Sequence, residues 1–157
     1  MALQNDGLGS GLNGEYFTNA PSGDTALFLA PDAPSLLNIA PVGRYFLGAI
    51  SFFYSSNDAV TDAVQVFSGD AGTGSLLGSF SLTVNAATGC ADSPFCHWSL
   101  ATINFNGLAR SVRFSNAAAD NVVFDNLTVN VVPEPGSALM VAIGLAGLAL
   151  TARRGRS

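Results

Sequence analysis

The side chains that could bind a metal or move a proton are few, and most of them sit in turn-forming sequence. Cys90 and Cys96 enclose five residues in a loop that begins at Gly89 and contains Pro94, and His97 follows at once. Thiols beside an imidazole raise the question of zinc. A tetrahedral structural site needs one ligand more than these supply, and they are the only cysteines and the only histidine of the chain. The alternative is a disulfide, which in an oxidising compartment contributes about 2 kcal/mol when it closes so short a loop. Calcium asks for hard oxygen donors in loops. Asp24 ahead of a strand and Asp125 within the last strand are the candidate ligands, with Asp58 and Asp62 together in one further loop. No Asp-x-Asp-x-Asp-Gly loop is present, and ordinary Asx-turn bonding accounts for the same aspartates.

Catalytic readings fare worse. A Ser-His-Asp site would have to use His97, directly beside the cysteine loop, and no Gly-x-Ser-x-Gly elbow occurs. A phosphate-binding P-loop needs its lysine, and the chain contains none. Paired carboxylates could hydrolyse glycosidic bonds, but solvated turn acids are the simpler account. The expectation is a protein without a catalytic site, a hydrolase being the remaining alternative. Phe52, Phe53, Tyr54 and Trp98 could stack on sugar rings. Consecutive aromatics on a strand point to opposite faces, however, so some must be core, and Trp98 beside the cysteine loop reads as a packing residue. Asn126-Leu127-Thr128 matches a glycosylation sequon but falls inside a strand.

The elements that must position these residues read as strands throughout. Thr25–Ala30, Ser35–Ile39, Phe46–Tyr54, Ala63–Phe67, Leu76–Val84, Trp98–Phe105, Ser111–Phe114 and Asn121–Val131 are apolar, β-branched or aromatic, and several alternate cleanly. Glu15-Tyr16-Phe17 reads as the remnant of an earlier strand. Ser68–Gly74 is turn chemistry between two alternating runs, the clearest hairpin of the chain. Asn106-Gly107 signals another turn. No window sustains a helical period ahead of residue 131. The expected fold is all-β: an antiparallel β-sandwich, jelly-roll-like, over residues 25–131. Residues 1–24 read as a polar segment. They lack the basic and apolar regions of a signal peptide, so a start further upstream is expected.

Residues 132–157 form a separate unit. Pro133-Glu134-Pro135 holds the chain extended. Gly136 to Ala152 is a run of 17 uncharged residues, reaching about 25 Å as a helix, near the lower limit for a bilayer span. Arg153, Arg154 and Arg156 then form a basic stop that would stay cytoplasmic, leaving the domain outside. A buried helix of a soluble domain would show a polar stripe, and this run has none.

Taken together, the Pro-Glu-Pro motif, the apolar run and the Arg153-Arg154-Gly155-Arg156 end resemble the PEP-CTERM sorting signal of Gram-negative bacteria. That resemblance implies an exported protein, anchored in the inner membrane until an exosortase-type transpeptidase removes the tail, and then placed at the cell surface or in an exopolysaccharide matrix. Ala20–Phe28, Ile50–Tyr54, Val64–Phe67 with Leu76–Gly78, Ser111–Phe114 and Phe124–Thr128 are similar, in order, to a domain recurrent in such proteins, for which no general activity follows. Export would favour the disulfide between Cys90 and Cys96.

Charge agrees with this placement. Ahead of the tail, Arg44, Arg110 and Arg113 stand against nine aspartates and Glu15. A surface of that sign repels nucleic acid, whose recognition rests on basic phosphate contacts. The expected function is that of an exported envelope or matrix protein. The alternative is a carbohydrate-binding module with structural calcium.

Overall fold

The computed structural model describes residues 2–4, 16–23, 25–29, 36–37 and 44–133. These form an all-β structure of two antiparallel sheets. The strands are β1 (Ala2–Gln4), β2 (Thr25–Phe28), β3 (Leu36–Leu37), β4 (Arg44–Ser56), β5 (Val60–Phe67), β6 (Leu76–Leu82), β7 (Ser99–Ala109), β8 (Ser111–Phe114) and β9 (Val122–Pro133). One sheet has the order β1-β2-β9-β4-β7 and the other β3-β8-β5-β6.

The pairings nest. β5 pairs with β6, β4 with β7, β3 with β8 and β2 with β9, all antiparallel. The chain from β2 to β9 is therefore one long hairpin, centred on the β5–β6 turn and rolled so that successive pairs fall in alternate sheets. That turn is the one expected over Ser68–Gly74. The Ser68 N–H donates to the Ser75 carbonyl, and the Gly69 N–H to that of Thr73. Gly74 takes φ +77°, and a Cβ there would lie 2.5 Å from the Ser68 Oγ, so only glycine fits.

Alternation builds the core. Along β7, Ala101, Ile103 and Phe105 are buried while the residues between them are exposed. Phe46, Ile50, Phe52 and Tyr54 of β4 face Val64, Val66, Val112 and Phe114 of the other sheet within one cluster. Burying each such side chain is worth about 1.5–3 kcal/mol. The aromatic residues pack edge to face, with Phe114 and Phe124 4.9 Å apart across the sheets.

The structure extends or departs from the sequence reading at several points. Asn106-Gly107 is not a turn. It lies within β7, where the register against β4 slips between Phe46 and Gly48, and Gly107 takes φ +99°. Positive φ serves a bulge as well as a hairpin, and the chain runs on through Arg110 from β7 in one sheet to β8 in the other. Within the polar segment 1–24, Ala2–Gln4 supplies β1, which pairs the outer edge of β2 and so satisfies backbone groups that an open edge would expose. β9 also runs beyond Val131, through Val132 to Pro133, which lies opposite Arg44.

Candidate functional site

The expected sorting motif begins where the sheet ends. Pro133 is the last paired residue of β9, a position that tolerates the missing proline N–H. Glu134, Pro135, the apolar run and Arg153, Arg154 and Arg156 lie outside the described residues, and the expected membrane helix lies there with them. Among the described residues no helix is long and apolar enough to cross a membrane.

Cys90 and Cys96 form a disulfide. The loop it closes belongs to a second, smaller core on the outer face of the five-stranded sheet. There Ala26, Phe28 and Val123 from β2 and β9 are covered by Phe17, Ala86 and Phe95, with Tyr16 and Trp98 packed against them. Backbone bonds fasten this cover: the Thr18 N–H donates to the Phe95 carbonyl, and the N–H groups of Cys96 and His97 both donate to that of Ala86. The Trp98 indole donates to the Thr18 carbonyl at 2.8 Å, and its ring meets Phe17 edge to face. Trp98 is thus a packing residue of this cover, a strap formed by residues 16–18 and 86–98. Glu15 is outside the described residues. The expected Tyr16-Phe17 strand reduces to a single parallel bridge from Phe17 to Phe95.

Asp92, at the exposed tip of the loop, has its carboxyl held below the usual carboxylate range. The largest cause is a hydrogen bond from its own backbone N–H, followed by one from the Thr18 hydroxyl, which approaches to 3.0 Å. Cys90, Asp92 and Cys96 bring ligand atoms within 4.8 Å of one another. Both sulfurs are consumed by the disulfide, however, so one carboxylate is left and the trio cannot hold zinc in this state. His97 is half-buried beside the strap.

Asp24 lies outside the described residues. Asp125 accepts from the Ser22 N–H at 2.8 Å, the Ser22 hydroxyl at 2.6 Å and the Asn126 N–H at 2.7 Å. It pins the chain ahead of β2 to β9. Asp62 sits at φ +49° and accepts from the Ser79 hydroxyl, while the Asp58 carbonyl accepts from Ser56.

A pocket of about 250 Å³ opens beside Asp125. Its origin is a β-bulge: Asn126 takes φ +48°, and the register of β9 against β4 slips between Ser51 and Phe53. Bulges bend a strand and end its pairing, and here the ladder between β2 and β9 is limited to Leu27–Phe124 and Phe28–Val123. Phe52, Phe114 and Phe124 form the floor, and Ala26, Leu27 and Leu127 the apolar walls. Ser22, Thr25, Asp125 and Asn126 bring the polar atoms.

Nothing in the sequence marked this pocket. The nearest signal was the run Asp125-Asn126 inside an otherwise apolar strand, where residues that tolerate positive φ imply a bulge. No family model matches the chain, and neither does any curated protein or solved structure compared with it.

Proposed function

We propose that this is an exported, non-catalytic β-sandwich protein of the cell envelope or extracellular matrix, delivered by its C-terminal tail. The observation that carries the reading is the junction at Pro133. The last strand of the sandwich ends on the first residue of the Pro-Glu-Pro motif, and 17 uncharged residues and three arginines follow within the sequence. In the sequence only Glu134 and Pro135 separate this folded domain from the proposed anchor. The disulfide supports an oxidising compartment, and the nested strand order supports the jelly-roll form of the sandwich. Tail removal would fall to an exosortase-type transpeptidase, with exopolysaccharide as the surrounding matrix.

Expression in the native host, with the upstream region of the gene included, tests this. The wild-type protein should leave the membrane at a mass lacking the tail. A variant with alanine at Pro133, Glu134 and Pro135 should remain full-length and anchored. Full-length protein in the same membrane for both would reduce the tail to a plain anchor and overturn the sorting reading.

A further inference from the structure

We infer that the pocket at the β9 bulge binds a small organic cation, an alkyl- or quaternary ammonium group on an apolar body, with Asp125 as its counter-ion. Asp125 is only 8% exposed, and its three hydrogen-bond partners, the Ser22 N–H and hydroxyl and the Asn126 N–H, are all neutral. A buried carboxylate ordinarily has a cation beside it, and the described residues supply none here. Arg110 lies 3.1 Å from Asp70, a charge contact rather than an aligned hydrogen bond, and covers the Tyr45 ring. Arg113 lies over Phe67. Arg44 is opposite Pro133, at the far end of the β4–β9 ladder from the Phe53–Asp125 pair. The chain has no lysine to offer.

The walls choose among ligands. A carboxylate accepts about four hydrogen bonds, and Oδ2, which among the described residues takes only the Ser22 N–H, retains room for one more partner. An anion would be repelled. A sugar would press most of its hydroxyls against phenylalanine, leucine and alanine, while the Ser22 hydroxyl and the backbone N–H groups of Ser22 and Asn126 are committed to Asp125, so several would go unsatisfied. A neutral apolar ligand would leave the carboxylate as it is and further desolvate it. An ammonium with methyl or methylene groups satisfies both requirements, because its charge meets Asp125 and its carbons meet an aromatic-lined cavity, which also favours cations electrostatically. At about 250 Å³ the cavity lies below the usual range of about 300–1,000 Å³ for drug-sized ligands, so the cation has few heavy atoms.

The test is an NMR titration of the full chain, in a non-ionic detergent, with choline and with its uncharged isostere, in which carbon replaces the nitrogen. Choline should shift the amides of Ala26, Leu27 and Leu127 saturably. The isostere should bind at least about tenfold more weakly, and Asp125→Asn should remove that difference. Because Asp125 also holds Ser22, a second variant guards against misfolding: Leu127→Trp fills the pocket, leaves the carboxylate in place, and should abolish the shifts. Equal binding of choline and isostere, tighter binding of glucose than of choline, or no saturable shift at these amides would each overturn the proposal.

Discussion

Asn85 is 6% exposed, and its amide is fully engaged. The Oδ1 accepts from the Ser56 N–H at 2.6 Å, and the Nδ2 donates to the Tyr54 carbonyl and the Ser99 hydroxyl. It therefore caps the end of β4 and ties it to the start of β7. Asn85→Ala should destabilise the fold by about 2–3 kcal/mol, since it strands a buried donor and a buried acceptor; the midpoint of denaturant unfolding reads this directly. Asp92 makes a contrasting prediction. Its folded-state pKa lies below the ordinary value, so its contribution is complete above the unfolded pKa of about 3.9 and is lost as pH falls through the folded value. Asp92→Asn should thus lower stability at about pH 7, and the difference should shrink as pH falls below the unfolded pKa, which thermal melts across that range will show. The disulfide was legible from the sequence because the chain offers no other cysteine. Asn85 was not, since Asn85-Ala86-Ala87-Thr88-Gly89 reads as any polar loop and the partners of the amide come from remote strands.

At the scale of elements, hydrophobic alternation was enough to find β4, β5, β7, β8 and β9, whose inward residues recur with period two. It failed where backbone conformation rather than burial decides. Asn106-Gly107 carries the same positive-φ signal whether the chain reverses or merely bulges. Leu76–Val84 ends at Leu82, and of Ser35–Ile39 only Leu36–Leu37 is among the described residues. The strap over the outer sheet face was also hidden, because Phe17, Phe95 and Trp98 lie in segments with no period at all. Its mechanical role can be measured. Replacing Cys90 and Cys96 together by serine should lower stability by about 2 kcal/mol. Since Trp98 is the only tryptophan, its fluorescence should lose the buried character of the strap before the sandwich unfolds. A single coincident transition in fluorescence and far-UV circular dichroism would mean that the strap and the sandwich are one cooperative unit.

Seen whole, the molecule is a long hairpin rolled into two sheets, and its two ends meet where β2 pairs with β9. Sheet order of this kind depends on pairings between residues as distant as Leu27 and Phe124, which local patterning cannot specify, although the number and character of the strands limited the choice to a sandwich. The same closure delivers Pro133 to the end of the sheet opposite Arg44, so the last described strand ends on the first residue of the proposed sorting motif. The measurement that tests this account most directly is the intact mass of the protein recovered from its native host. The account predicts a released chain lacking the apolar run and Arg153, Arg154 and Arg156, with the sandwich and its disulfide intact. A chain that still ends at Ser157 and stays in the membrane would contradict it.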